Sequence, residues 1–170
     1  MDSTLHIRDA QPSDAAALAG LLGGMGWFTV YADSTPAQAE ERLRALIQSA
    51  AGGQHGLLLV AEDGAQPRLL GYCAVHWLPV AIQLGWEAYV SELFVAESAR
   101  GTGAGSALLD AAVQAARERQ CVRIWLINNR ERPSYARGFY PRHGWTEQAE
   151  MARFVLPLAA PPQPSGDSLP

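Results

Sequence analysis

Seven consecutive residues near the middle of the chain, Arg100-Gly101-Thr102-Gly103-Ala104-Gly105-Ser106, have the types and spacing to hold an anion. They follow a run of strand formers (Tyr89, Val90, Leu93, Phe94 and Val95). After them Leu108, Leu109, Ala112, Val113, Ala115 and Ala116 recur at helical steps. The first amides of a helix lack intrahelical acceptors, and the macrodipole is positive there. Glycine lets a ligand come against the main chain, and Arg100 adds a fixed positive charge. Strand, glycine turn and helix in that order predict a site for a pyrophosphate. A glycine turn with no ligand is the plain alternative, because a lone Gly-x-Gly is a weak signal.

Three kinds of pyrophosphate loop compete. A P-loop ends in Lys-Ser or Lys-Thr, whereas here Gly105 is followed by Ser106-Ala107 and the chain contains no lysine. A dinucleotide fingerprint is poorly served by Ser106. It also calls for an acidic residue about 20 positions on, at the tip of the next strand. That strand, Val122–Ile127, ends in Asn128-Asn129. The third loop, (Gln/Arg)-x-x-Gly-x-(Gly/Ala), binds acetyl-CoA and is matched in full by Arg100, Gly103 and Gly105. Asn128, Ala136 and the segment Gly138-Phe139-Tyr140-Pro141-Arg142-His143-Gly144-Trp145 follow it. Loop and later segment together resemble the GNAT superfamily of acyl-CoA-dependent N-acetyltransferases, whose later motif reads Asn…Ala-x-x-(apolar)-Tyr-x-x-x-Gly-Phe. Trp145 stands where Phe is commoner. The resemblance spans roughly Leu5 to Leu158 and is most specific from Glu92 to Trp145.

That resemblance implies acetyl-CoA as cofactor and direct transfer to an amine in a ternary complex. Arg100, Gly101, Thr102, Gly103, Ala104, Gly105 and Ser106 would surround the pyrophosphate. The segment Leu93-Phe94-Val95 would meet the pantetheine, with main-chain groups of Leu93 and Val95 pairing with it like an added strand. The Leu93 amide would face the developing oxyanion. Asn128, with Asn129 as the alternative one residue on, would clamp the cofactor or the end of its strand, and Ala136 fills a motif slot. Tyr140 is the expected proton donor to the leaving thiolate, since a phenol near pKa 10 is a modest mismatch for a thiol near 8.5. Tyr135 competes from one position before that slot, and a plain core tyrosine is the other reading. Glu92, a carboxylate in an apolar strand, is the expected base, and a structural ion pair or ordered water the alternative. Glu87 is its weaker substitute.

The resemblance implies an acceptor site flanked by the loop between the first two helices and by the strands near Trp77–Trp86. Trp27, Phe28, Tyr31, Trp77 and Trp86 would make it aromatic, and Asp33, Glu40 and Glu87 negative, which suits a small cationic amine; Glu92 is counted among the substrate-binding residues with Trp27, Phe28 and Tyr31. Ordinary packing of large side chains is the alternative. A non-catalytic acyl-CoA-binding or sensor domain is the rival to an enzyme.

With 170 residues, 48% of them apolar, the chain is long enough for one substantial core. A net charge of −4 argues against a nucleic-acid backbone as partner. No apolar run reaches membrane-span length and no signal peptide is visible, so a cytoplasmic protein is expected. Cys73 and Cys121 make no disulfide framework, and they and the four histidines suggest no metal. The oligomeric state is open, a homodimer included.

The elements that must position these residues read β-α-α-β-β-β-α-β-α-β. Strands are expected over Leu5–Arg8, Leu57–Glu62, Leu69–Leu78, Glu87–Val95, Val122–Ile127 and Ala152–Leu158, with Pro79–Gly85 a connection and Trp145–Glu147 opening a last hairpin. Helices are expected after Pro12, after the capping box Thr35-Pro36-Ala37-Gln38, from Gly103, and from Pro133 to Gly144. Leu43, Leu46, Ile47 and Ala50 form the second helix's buried stripe. The resemblance turns this order into an α/β (α+β) fold. Its mixed, mostly antiparallel sheet has six to seven strands, about four flanking helices, and a fourth and fifth strand that splay apart. The domain runs over 1–158, and the proline-rich 159–170 reads as a flexible tail.

Overall fold

A computed structural model describes residues 5–64, 68–156 and 158. The tail expected over 159–170 lies outside the described residues. The chain divides into two compact units between Asn129 and Arg130.

The first unit is built on a five-stranded open sheet in the order β1-β2-β3-β4-β5. β1 (Leu5–Asp9), β2 (Gly56–Asp63), β3 (Leu69–Val80) and β4 (Gly85–Val95) pair antiparallel, and β5 (Arg123–Leu126) joins β4 in parallel. The connection expected at Pro79–Gly85 is shorter. β3 runs on to Val80 and faces Gly85 across a tight turn at Ala81–Gln83. Six α-helical segments appear among the described residues, of which only α1 (Ala15–Gly23), α3 (Pro36–Ala50) and α4 (Ala104–Glu118) exceed one turn.

Each long helix starts where the sequence marks it. Thr35 Oγ1 accepts from the Gln38 N–H at 3.3 Å and the Gln38 side chain accepts from the Thr35 N–H at 2.9 Å, which closes the capping box with Pro36 at the first helical position. Before α1, a turn at Pro12–Asp14 lets Asp14 accept the Gln11 N–H at 2.7 Å and receive Arg8 with both oxygens, at 2.7 and 2.9 Å. The Arg8 guanidinium holds the Asp14 carboxyl below the usual range. In α3, Ile47 is buried while Leu46 turns out to solvent, so the buried stripe is narrower than expected.

Alternation along the strands divides the core between two faces. Val60, Tyr72 and Ala74 pack with Ala15 and Leu18 of α1 and Ile47 of α3, and Phe94 closes against them. On the other face α4 buries Leu108, Leu109, Ala112 and Ala116. A Cβ at Gly71 would meet Leu108 Cδ1 at 3.0 Å and Phe94 O at 2.9 Å, so glycine is what lets α4 lie this close.

The second unit carries α5 (Pro133–Ala136) and α6 (Phe139–Arg142), two single turns in place of the one helix expected up to Gly144. Gly138, at φ 61°, breaks them apart. Its N–H donates to Tyr135 O at 2.8 Å and closes the first turn. The strand expected at Ala152–Leu158 is absent over 152–156, as is the hairpin start at Trp145–Glu147. The sheet therefore has five strands among the described residues, fewer than the six to seven expected.

Candidate active site

The glycine turn is built to leave its amides open. After β4 a short turn at Glu97–Ala99 precedes Arg100. Gly101 (φ 82°) and Gly103 (φ 90°) then take backbone conformations that a side chain disfavours. Thr102 is used locally, its hydroxyl donating to Ala99 O at 2.7 Å. The first intrahelical bond of α4 runs from the Ala107 N–H to Gly103 O at 3.0 Å. Among the described residues the N–H groups of Gly101, Gly103, Ala104 and Gly105 meet no acceptor. A Cβ added at Gly101 or Gly103 would meet nothing within 4 Å, so there is open space above them. Arg100 has only an exposed pairing with Glu97 at 3.2 Å, too weak to tie it down. Open amides, open space and one cation fit a pyrophosphate. Ser106 is half-buried at the start of the same helix.

β4 continues this site along its own edge. Its pairing with β5 ends at Val90 opposite Leu126, and residues 92–95 are paired to β3 alone. The Ala96 N–H donates to Leu70 O at 2.8 Å. Counting back in steps of two, Phe94 and Glu92 turn their main-chain groups to β3, and Leu93 and Val95 turn theirs to the open edge. Phe94 thus offers the edge little, and its ring belongs to another cluster.

That cluster gathers the expected acceptor residues. The Phe94 ring lies 5.4 Å from Phe28 and 6.2 Å from Trp27, and Phe28 lies 6.4 Å from Tyr31. Tyr31 belongs to α2 (Thr29–Ala32), a single turn between α1 and α3. Glu92 stands opposite Ala74 on the same face as Phe94 and Tyr72, and opposite to Leu93, as alternation requires. Burial pushes its carboxyl up from the ordinary range. The Tyr31 phenol is raised first by burial and then by the Glu92 charge, and Cys73 is pushed up to about 12 in the same way.

Other expected neighbours go elsewhere. Trp77 and Trp86 do not flank this cluster but sandwich Arg119, whose guanidinium carbon is 5.2 and 5.3 Å from their rings. Arg119 also donates to Gly53 O at 3.2 Å and Gln54 O at 3.0 Å, beyond the C-terminal end of α4. Trp77 shares the α4 face with Val75 and Cys73, so strand parity alone excludes it from the side of Glu92. Glu87 is only 3% exposed and has a structural task. It accepts from Trp125 Nε1 at 3.0 Å. Its other oxygen lies 2.6 Å from Arg123 Nε without hydrogen-bond geometry, compensated by charge. Glu40 pairs with Arg44 one turn along α3, and Asp33 is exposed beside α2.

Ser91, His76 and Trp125, which connect through Tyr89, were not singled out from the sequence as site residues. Ser91 Oγ is 2.8 Å from His76 Nε2, the His76 ring lies 6.2 Å from Tyr89, and Tyr89 stacks on Trp125 at 4.3 Å. Two consecutive polar residues, Ser91-Glu92, inside an apolar strand were the available signal, since they mark a bulge. Asn128 is half-buried just past β5, and Asn129 is exposed. Among the described residues no group of three or more His, Cys, Asp and Glu is placed to hold a metal ion, and no helix is long and apolar enough to cross a membrane.

In the second unit Tyr140 is half-buried in α6, its ring 5.0 Å from Phe139 and 6.1 Å from Trp145. The Trp145 N–H donates to its carbonyl at 3.2 Å. Tyr135 has another occupation: its hydroxyl donates to Glu147 at 2.8 Å, and Glu147 pairs with Arg130 at 2.6 Å. Ala136 is exposed at the end of α5.

Comparison with known proteins follows the same lines. Residues 25–145 match the acetyltransferase (GNAT) family. An uncharacterized N-acetyltransferase of Bacillus subtilis strain 168, YhfO, is 25% identical over 158 residues, covering 92% of this chain and 99% of its own. Among solved structures, a ribosomal-protein-alanine N-acetyltransferase of Brucella melitensis biovar Abortus 2308 superposes with a TM-score of 0.70 at 21% identity, over 91% of this chain and 100% of its own. An aminoglycoside acetyltransferase from an uncultured soil metagenomic sample does so at 0.73 and 20% identity, over 93% and 99%.

Proposed function

The chain belongs to the acetyltransferase (GNAT) family and is an acyl-CoA-dependent N-acetyltransferase; from that premise we propose direct transfer of an acetyl group from acetyl-CoA to a primary amine of a small molecule or peptide, both substrates being bound at once. The observation that carries this reading is the run of open amides at Gly101, Gly103, Ala104 and Gly105, continued by the unpaired edge of β4. A protein alanine and an aminoglycoside appear in the names of two structural neighbours, and the acceptor is accordingly put no more narrowly. Nothing favours a non-catalytic acyl-CoA-binding domain.

When bound, acetyl-CoA supplies an acetyl thioester. Arg100 and the open amides of Gly101, Gly103, Ala104 and Gly105, with Thr102 and Ser106 beside them, hold its pyrophosphate, and the main chain of Leu93 and Val95 pairs with the pantetheine arm. The Leu93 N–H, on the open edge, is the donor for the carbonyl oxygen as it gains charge. Trp27, Phe28 and Tyr31 receive the acceptor, whose ammonium is drawn to Glu92. Glu92 removes the ammonium's extra proton, and its raised carboxyl is a better base for that task than an ordinary glutamate. Tyr140 gives a proton to the departing thiolate, and Asn128 and Ala136 complete the cofactor's surroundings, all by resemblance.

Calorimetric titration with acetyl-CoA and with NAD, followed by a screen of primary amines for thiol release, tests the reading. Heat with NAD and none with acetyl-CoA ends it. Tyr140→Phe is expected to lose turnover at nearly unchanged cofactor affinity, and full turnover in that variant removes Tyr140 from the scheme.

A further inference from the structure

Ser91, Glu92 and His76 project from one face of the sheet, an arrangement that a regular strand forbids to the first two. Neighbouring strand residues point to opposite faces. Glu92 stands opposite Ala74, and His76 is two residues further along β3, so Glu92 and His76 share a face. Ser91 Oγ is 2.8 Å from His76 Nε2, so Ser91 shares it too. The register shift between Ala74 and Val75 leaves Ser91 with no residue opposite it, and this bulge is what turns two consecutive side chains the same way. It falls just past the point where β5 stops pairing with β4. As a stabilising contact an exposed hydrogen bond between neutral groups contributes only about 0.5–1.5 kcal/mol. Stability is a weak reason for a serine and a histidine here.

We infer that Ser91 and His76 are the proton outlet of the candidate base, a relay that resets Glu92 after each turnover. The inference rests on the transfer chemistry proposed above. Glu92 is half-buried, so a proton taken there must be handed on, whereas His76 is open to water. One proton leaves the acceptor ammonium for the Glu92 carboxylate. Solvent water carries it from Glu92 to Ser91 Oγ as the Ser91 hydroxyl passes its own proton to His76 Nε2 at 2.8 Å. The imidazolium releases one to water from Nδ1, and exchange with water restores the starting tautomer. Only O–H and N–H bonds change. The starting ring carries its proton on Nδ1, the tautomer that lets Nε2 accept from serine. Facing His76 are Tyr89 and Ser91 from β4 and Gly56 from β2, with His55 before it. Arg123 of β5 is matched by Glu87, and α1 carries no titratable residue.

His76→Ala, His76→Gln and Ser91→Ala in the full chain test this, assayed with acetyl-CoA and the fastest amine of a panel of aliphatic, aromatic and polyamine compounds. Both His76 variants are expected to lose kcat roughly 10- to 100-fold near pH 7, at or below the low end of general-base effects. Added imidazole should restore His76→Ala about tenfold and leave Ser91→Ala unmoved, while calorimetric affinity for acetyl-CoA stays within about twofold. Unchanged kcat in His76→Ala, or a loss that imidazole does not relieve, overturns the inference alone. A wild-type protein that fails to bind acetyl-CoA in the calorimeter overturns the proposed function with it.

Discussion

Gly103→Ala separates the backbone's part in the anion site from the ligand's. Gly103 precedes α4 at φ 90° and ψ −7°, and a Cβ there would touch nothing within 4 Å. With no collision to relieve, the folded state bears only the conformational cost of a positive φ, about 1–2 kcal/mol. Alanine also narrows the unfolded ensemble, which returns about 0.4–1 kcal/mol. The net loss is then about 0–1.6 kcal/mol, a fall in Tm of at most roughly 6 °C for a chain of this length. Affinity for acetyl-CoA should fall further, because the new methyl occupies the space from which a pyrophosphate reaches the amides. At least a tenfold rise in Kd, about 1.4 kcal/mol, is expected by calorimetry. Gly20→Ala is the control: it lies within α1 with equally open surroundings, and should stabilise by about 0.5–1 kcal/mol. Opposite signs from one chemical change isolate the backbone effect. If Gly103→Ala binds acetyl-CoA as the wild type does, the open amides are not where the pyrophosphate sits.

Three further outcomes follow from particular residues. Burial raises the folded Glu92 carboxyl above an unfolded value near 4.3, so this group's stabilising effect is complete below that pH and is lost as pH rises through the folded value. Glu92→Gln should therefore be more stable than wild type at pH 8 and converge with it in acid, and a gap in urea midpoint independent of pH would contradict this. Asp14 has the reverse sign: its lowered carboxyl stabilises above about pH 3.9 and ceases to as pH falls through the folded value. Asp14→Asn should cost about 1.5–3 kcal/mol at pH 7, shrinking toward low pH, and denaturation across pH checks it. Leu84 sits at φ 49° and is 96% exposed in the β3–β4 turn, so Leu84→Asn should raise Tm, by an amount corresponding to about 0.5–1 kcal/mol; an unchanged or lower Tm would count against strain there.

Local chemistry was what the sequence displayed well. The Thr35 capping box, the glycine turn with its two positive-φ residues and the start of α4 are all decided by neighbours within a few positions, and each lies where expected. Trp27, Phe28, Tyr31 and Glu92 also come together, because a loop after α1 and the second half of β4 meet on one face. Trp77 and Trp86 were grouped with them through the family resemblance, whereas parity along β3 and β4 decides the face. The bulge at Ser91 is a register between two strands and is visible only as a pair of polar residues. Met151 to Leu156 has strand-forming residues but forms no strand, since β-propensity is a weak preference that tertiary context overrides. Gly138 divides α5 from α6 although the flanking residues tolerate a helix, a decision made by one backbone angle.

The Arg119 sandwich bears on how this enzyme can move. With its guanidinium gripped by two indoles and hooked to the Gly53–Gln54 main chain, the far end of α4 is riveted to the sheet. The same rod carries the anion-binding amides at its other end, so the Arg119 anchor and the open turn before Ala104 belong to one helix. The short turn bearing Tyr31, by contrast, contains no charged residue and so has no such ionic anchor of its own.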